Sequence, residues 1–202
     1  RVPDEPAADR LLRLEREPVL AAPRVKVRRD ANGEEELPRQ RERLGELYVR
    51  LEDSLSRLEM SGVEVIPQTM PPFPWHFGGQ QFHNLFVDAE SIVDFCTRNH
   101  MRVCLDVSHS KLACNHLKVS FTDFLHKVAP LTAHFHIADA AGVDGEGLQI
   151  GEGDIDWAEF FRVIAGRAPN ASFIPEIWQG HKNGGEGAWS ALDKLECFAS
   201  AS

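Results

Sequence analysis

Short apolar runs alternate with amphipathic segments along residues 61–202. Four runs are typical of buried strands, and they cover residues 63–67, 102–106, 132–138 and 172–177. They begin about 30–40 residues apart, which leaves room for a helix between consecutive strands. Strands that alternate with helices in this way predict βα units and a parallel sheet.

Helical periodicity occurs in the segments before, between and after these runs. Leucines recur at three- and four-residue steps from Pro38 until Gly62 provides a stop. Side chains that cap helix N-termini precede three of the other four segments. The predicted helices cover residues 38–62, 88–100, 120–130, 156–166 and 186–198, and the caps are Asp88, Ser120 and Asp156.

The fold class that follows is α/β, a partial (β/α)₈ TIM barrel with about four to five βα units and parallel strands. A complete barrel needs about 250 residues, and this chain has 202. We therefore assign residues 37–202 to the C-terminal half of a barrel. Residues 1–36 lack the apolar pattern of a core and are interpreted as an N-terminal arm or a remnant of a missing first half.

Composition narrows the functional classes. The net charge is −9, which argues against a nucleic-acid partner. No run of 18 uncharged apolar residues predicts a membrane span, and the N-terminus has no signal-peptide core. The four cysteines include no CxxC pair, so we expect reduced thiols and a cytoplasmic location.

Polar side chains with metal-ligand chemistry fall where the predicted strands end. Because carboxyl ends of parallel strands meet on one rim, side chains more than 100 residues apart should converge there. Two carboxylates, imidazoles and an amide oxygen suit Mn²⁺ or Mg²⁺ best, with Zn²⁺ or Co²⁺ also compatible. The residues are Gln68, Asp106, His109, His136 and Glu176. His134 is expected to be structural and to point away from His136 or into the helix layer.

Four motifs in this order resemble the xylose isomerase-like TIM barrel superfamily. That group includes sugar phosphate isomerases/epimerases and the endonuclease IV type of AP endonucleases. The resemblance covers roughly residues 40–200 and corresponds to the second half of the barrel. The motifs are Leu105-Asp106-Val107-Ser108-His109, His134-Phe135-His136-Ile137-Ala138-Asp139, Ile150-Gly151-Glu152-Gly153-Asp154-Ile155-Asp156 and Pro175-Glu176.

The resemblance implies roles for individual residues. In the ketose-epimerase members, Glu, Asp, His and Glu from the last four strands hold the metal. The matching positions here are Gln68, Asp106, His136 and Glu176. It also implies that His109 contacts substrate, as in the epimerases, or a second metal, as in the endonucleases. On chemical grounds Glu176 is the better candidate for the catalytic base, and His109 would orient a hydroxyl or relay a proton.

Two departures separate this chain from the family pattern. Gln68 stands where the family has Glu, and an amide cannot act as a base. The endonuclease branch has Asp-x-His before Gly-Glu-Gly, whereas residues 144–149 contain no histidine. The second departure argues against a three-zinc nuclease.

Two loops offer further substrate contacts. Trp75, in the Pro-rich stretch 70–86, is a candidate sugar platform, with a packed loop as the alternative. His181 and Lys182 precede the last helix, where barrels often bind phosphate, and the alternative there is a solvated turn.

The resulting hypothesis is a divalent-metal-dependent sugar or sugar-phosphate isomerase/epimerase. The first alternative is a non-catalytic or degenerate sugar- or metabolite-binding barrel within a larger carbohydrate-biosynthesis protein. The second is an AP-endonuclease-like phosphoesterase. The half-barrel interpretation also predicts open strand edges, and therefore either a homodimer or association with a missing N-terminal half.

Overall fold

The computed structural model describes residues 36–72 and 84–201, with side chains described for 43–72 and 84–200. The α-helices are α1 (Glu36–Ser56), α2 (Ala89–Arg98), α3 (Val107–Leu117), α4 (Phe121–Val128), α5 (Trp157–Arg167) and α6 (Lys182–Ala201). The strands are β1 (Val103–Asp106), β2 (Thr132–Ile137), β3 (Asp139–Ala141), β4 (Gly145–Leu148) and β5 (Ser172–Pro175).

Parallel pairing organises the main sheet, whose strand order is β1-β2-β5. Asp106 of β1 is the register partner of His136 in β2, and His136 is in turn the partner of Ile174 in β5. Helices lie between consecutive strands of this sheet, so the α/β prediction of a partial TIM barrel is confirmed. A separate antiparallel hairpin, β3–β4, leaves the sheet directly after β2.

The predicted strand at residues 63–67 is reduced to one parallel bridge between Gln68 and Cys104. Pro67 O accepts from Cys104 N at 2.8 Å, and Thr69 N donates to Cys104 O at 3.0 Å. Val63 remains 66% exposed. Pro67 has no N–H to donate, and no strand pairs with the far side of this segment within the described part of the chain, so the pairing stops after these two bonds.

The predicted helix caps form as the sequence indicates. Asp88 accepts from Ser91 N at 2.8 Å, and Ser120 Oγ accepts from Asp123 N at 3.2 Å. Asp156 accepts from Glu159 N at 3.0 Å and caps α5. These bonds satisfy backbone N–H groups that have no partner within the helix.

The core lies between the main sheet and helices α2–α6. Leu105 and Phe135 project from β1 and β2 to this side, and Phe135 meets Phe160 of α5 with ring centroids 5.8 Å apart. Ile92 and Leu112 are also fully buried. Because side chains alternate along a strand, the opposite face of the sheet carries the polar residues of β1 and β2.

The last helix begins with an irregular turn. Asn183, Gly184 and Gly185 have positive φ angles of 53°, 73° and 87°. Regular helical conformation resumes at Glu186, where the sequence pattern places the start of the helix. None of the described helices is long and apolar enough to cross a membrane.

Candidate metal centre

The sheet register places two of the predicted ligands side by side. Asp106 ends β1 and His136 lies opposite it in β2. His136 Nδ1 is 3.8 Å from Asp106 Oδ2. The Asp106 side chain is 4% exposed and that of His136 is 21% exposed, so both groups lie in a largely desolvated part of the rim.

Glu176 joins this pair from the end of β5. Its backbone N donates to Ile137 O at 2.9 Å, which continues the β2–β5 pairing one residue past the strand. Its Oε2 is 2.6 Å from His136 Nδ1. Donor atoms of Asp106, His136 and Glu176 all lie within 4.8 Å of one another.

His136 Nδ1 is the observation that argues for a cation at this point. The atom is buried and has no hydrogen bond of acceptable geometry among the described residues, although a carboxylate oxygen is 2.6 Å away. The contact of this nitrogen is thus close but poorly directed, and a buried ring nitrogen needs a well-directed one. A divalent ion would be bound by this nitrogen and would offset the repulsion between the two carboxylates, so the residues fit a metal.

Gln68, the fourth predicted ligand, also lies at the site. Its Nε2 donates to Asp106 Oδ2 at 3.1 Å. In this orientation the amide nitrogen, and not the oxygen, faces Asp106. Rotation of the amide by 180° would present the oxygen, and the hydrogen-bond network decides between the two orientations.

Asp106 is held by a set of hydrogen bonds besides that from Gln68. Its Oδ1 accepts from His109 N at 2.9 Å, which makes Asp106 the N-cap of α3. Its backbone N donates to Thr69 Oγ1 at 2.9 Å. Burial raises the pKa of Asp106 to about 6, although the charge and backbone N–H of His109 act in the opposite direction.

His109 stands beside Asp106 on the first turn of α3 and is fixed at both ring nitrogens. Nδ1 lies 3.1 Å from Thr69 O and 3.2 Å from Asp106 Oδ2. Nε2 lies 3.1 Å from Glu146 Oε1. Burial lowers the pKa of His109, but the hydrogen bond to Glu146 and the charges of Asp106 and Glu146 outweigh that effect and raise it to about 9.

A cavity of about 820 Å³ opens beside the candidate ligands. Asp106, His109 and Glu176 line it, together with the β3–β4 hairpin and the segment after β5. His181 and Lys182, the predicted anion or hydroxyl contacts, are also part of this lining. Trp75, the predicted platform, lies outside the described residues.

The expected direction of the His134 side chain was wrong. Residues two apart in a strand point to the same face, and the rings of His134 and His136 lie with centroids 5.3 Å apart in an edge-to-face arrangement. His134 Nδ1 is 2.7 Å from Ser172 Oγ. His134 therefore packs beside the candidate ligand and bonds to the next strand.

Sequence reasoning missed two carboxylates on the β3–β4 hairpin. Glu146 contacts His109, and fully buried Asp139 accepts from Gly151 N at 2.8 Å and Trp157 Nε1 at 2.9 Å. The signal that could have found the hairpin was Gly142-Val143-Asp144, a three-residue turn with Gly142 at positive φ between two short runs. Asp106 as a helix cap was a second overlooked signal, because it predicts α3 directly after β1.

The fold and the site together define a parallel α/β barrel protein with a candidate divalent-metal site at the carboxyl ends of its strands. A family model described as xylose isomerase-like TIM barrel matches residues 7–196, and the chain belongs to this family. No curated protein matches the sequence at a significant level.

Two solved structures show the same fold. One is a D-tagatose 3-epimerase-like protein with 18% identity and a TM-score of 0.60, matched over 78% of this chain and 55% of that one. The other is a xylose isomerase domain protein from Alicyclobacillus acidocaldarius subsp. acidocaldarius, with 18% identity and a TM-score of 0.50. That match covers 69% of this chain and 51% of that one. The chain thus spans about half the length of the solved structures it matches.

Proposed function

We propose that this chain is the metal-binding half of a sugar or sugar-phosphate isomerase/epimerase. The observation that carries the proposal is the convergence of Asp106, His136 and Glu176, whose donor atoms lie within 4.8 Å of one another at the carboxyl ends of the strands. The family supports it, and one solved neighbour is described as D-tagatose 3-epimerase-like. The two carboxylates favour Mn²⁺ or Mg²⁺ over softer cations.

Asp106, His136 and Glu176 would hold the metal, with Gln68 beside them. A divalent cation there would polarise a substrate carbonyl and acidify the neighbouring C–H bond. Glu176 lines the cavity, and it would take that proton as the catalytic base. His109 would orient a substrate hydroxyl, and Lys182 and His181 on the same cavity wall would bind a phosphate or further hydroxyls.

Metal content and proton exchange test this proposal together. We expect about one Mn²⁺ per chain by elemental analysis after incubation and desalting, and loss of that ion in Glu176→Gln and Asp106→Asn. Glu152→Gln removes the same charge at an exposed position and should keep the ion. The Mn²⁺-loaded chain should then move deuterium from D₂O onto the carbon beside the carbonyl of a ketose or ketose phosphate.

Two results would overturn the proposal. One is a chain that binds no divalent ion, or one whose Glu176→Gln variant binds it as well as the wild type. The other is a metal-loaded chain that exchanges no proton with any ketose or ketose phosphate tested. Cleavage of an abasic oligonucleotide in place of ketose exchange would assign the site to a phosphoesterase.

A sugar- or metabolite-binding module without turnover is the second candidate, and Gln68 favours it. The amide donates to Asp106 at 3.1 Å and offers no second base. Under this alternative the metal-loaded chain binds ketoses saturably but exchanges no proton. Gln68→Glu is the informative variant, since a restored carboxylate would start exchange if the missing base is the only defect.

A further inference from the structure

Thr69 contacts both Asp106 and His109, and no role has been assigned to it. It follows Gln68 in the segment that pairs with β1, and it is fully buried. Its Oγ1 accepts from Asp106 N at 2.9 Å and donates to Asp106 O at 3.2 Å. Its backbone oxygen lies 3.1 Å from Nδ1 of His109. One buried residue thus contacts a candidate metal ligand and the residue that would face the substrate.

The parallel pairing of this segment with β1 stops one step before Asp106. Continued pairing would need Asp106 N to donate to Thr69 O and Pro71 N to donate to Asp106 O. A proline nitrogen carries no hydrogen, so the second of these bonds cannot form. The Thr69 carbonyl accepts from His109 Nδ1 instead of from Asp106 N. The side-chain hydroxyl of Thr69 therefore provides the contacts that the backbone does not provide here.

The Thr69 hydroxyl can make all of these contacts at once, and a third residue holds it from the helix side. Ser110 Oγ, in α3, lies 2.9 Å from Thr69 Oγ1, and Ser110 is also buried. A hydroxyl has one hydrogen and two lone pairs. It can therefore accept from Asp106 N and from Ser110 Oγ while it donates to Asp106 O.

We propose that Thr69 is a positioning residue, whose hydroxyl fixes the backbone of Asp106 and so keeps the Asp106 carboxylate in the metal centre. Without the hydroxyl, the buried Asp106 N–H would have no acceptor unless it took the Thr69 carbonyl from His109. Either result would disturb a residue of the site. Groups that support a metal ligand in this way contribute about 10- to 100-fold to metal affinity. This inference rests on the proposed function, because it assumes that Asp106 binds a metal.

Mn²⁺ affinity of the full chain, measured by calorimetry beside urea unfolding of the metal-free chain, tests the proposal. Thr69→Val keeps the shape of the side chain and removes the hydroxyl, so it should weaken Mn²⁺ binding by at least about tenfold. Thr69→Ser keeps the hydroxyl and removes a buried methyl group. It should bind Mn²⁺ within about threefold of wild type, even though the lost methyl group lowers its stability.

Thr132→Val is the matched control. Thr132 is also buried, and its Oγ1 donates to Val128 O at 3.3 Å at the start of β2, four residues before His136. This variant should keep Mn²⁺ affinity within about twofold of wild type. A second measurement does not depend on whether Thr69→Val folds. The backbone amide of Asp106 should exchange slowly with solvent in the metal-free wild type and in Thr69→Ser, because both retain the hydroxyl acceptor.

The outcomes distinguish this proposal from the one on which it rests. The role of Thr69 is overturned if Thr69→Val binds Mn²⁺ as tightly as wild type, or if Thr69→Ser loses as much affinity as Thr69→Val. Free exchange of the Asp106 amide in the folded wild type also overturns it. An equal loss of affinity in Thr132→Val does so as well, because any lost buried hydroxyl would then have the same effect. A wild-type chain that binds no Mn²⁺ overturns both proposals.

Discussion

Glu176 Oε2 lies 2.6 Å from Nδ1 of His136, although 40 positions separate the two residues in the sequence. The parallel register of β2 and β5 creates this contact. Ile137 is the register partner of Pro175, and its backbone oxygen accepts a hydrogen bond from Glu176 N. A shift of one residue in either strand would turn one of the two side chains to the helix side. The candidate metal centre is therefore a direct product of the sheet register.

Metal affinity should fall in mild acid because of Asp106. Burial raises the pKa of this carboxyl to about 6, so below that pH a cation must displace a proton before it can bind. We expect the Mn²⁺ affinity to be at least about tenfold lower at pH 5 than at pH 7. Calorimetric titrations at the two pH values measure this, and equal dissociation constants would contradict it.

The metal-free chain should lose stability in alkaline solution as the His109 imidazole loses its proton. The pKa of this imidazole is about 9 in the folded chain against an ordinary value of 6.5. A folded-state pKa raised in this way adds stability that is fully present below pH 6.5 and is lost as the pH rises through 9. The effect is roughly 3 kcal/mol.

Urea unfolding of wild type and His109→Gln at pH 6.5 and pH 9.5 measures this effect. The free-energy difference between the two proteins should be larger at pH 6.5 and should shrink at pH 9.5. The comparison cancels other groups that titrate in this range, since both proteins contain them. A difference that stays constant with pH would show that His109 is not charged in the folded chain.

Asp139 should be important for stability and not for metal binding. Its fully buried carboxylate accepts from Gly151 N, Ile155 N and Trp157 Nε1, and thus holds the loop that leads into α5. Asp139→Ala leaves these buried donors without a partner and should cost about 3 kcal/mol in urea unfolding. Asp154→Asn, at an exposed carboxylate, should cost less than about 1 kcal/mol. An Asp139→Ala variant as stable as Asp154→Asn would contradict this account.

Gly153 is required by close packing next to Asp139. A Cβ at this position would overlap Ala140 O and Asp139 Oδ1, and backbone atoms cannot move aside cheaply. Gly153→Ala should lower the free energy of unfolding by about 2–3 kcal/mol. Gly166→Ala is the matched control, because Gly166 lies in α5 with open space around its Cα and should gain roughly 0.5–1 kcal/mol. Thermal unfolding of both variants should show shifts of opposite sign.

Sequence patterns predicted those parts of the fold that depend on local rules. Asp88, Ser120 and Asp156 cap helices where expected, because a cap needs only the side chain and the next three residues. Strands β1, β2 and β5 appear within one or two residues of their predicted bounds, since each is a continuous apolar run. The rim position of Asp106, His136 and Glu176 followed from the general geometry of parallel sheets.

The remaining features depend on contacts that a linear pattern does not contain. Val63 lies in a segment with the composition of a strand, but only Gln68 finds a partner in β1, because pairing needs a neighbour and not only propensity. Glu146 contacts His109 because the β3–β4 hairpin brings the two residues together. Their spacing in the sequence does not indicate this contact. The division of the chain at residue 36 stays a prediction.

Strand β5 should make the isolated chain self-associate. It pairs with β2 on one side, and no strand pairs with its other side within the described part of the chain. Phe173 and Ile174 point to opposite faces of this edge and are 49% and 45% exposed. An unpaired edge that carries exposed apolar side chains is a template for another strand.

Light scattering should give a mass above the 22.6 kDa of one chain, and the mass should rise with concentration. Ile174→Lys should lower it, whereas Val49→Lys, at a more exposed apolar position on α1, should leave it unchanged. A single-chain mass at every concentration would show that the edge is covered, and the half-barrel interpretation would then need a strand from outside the described residues.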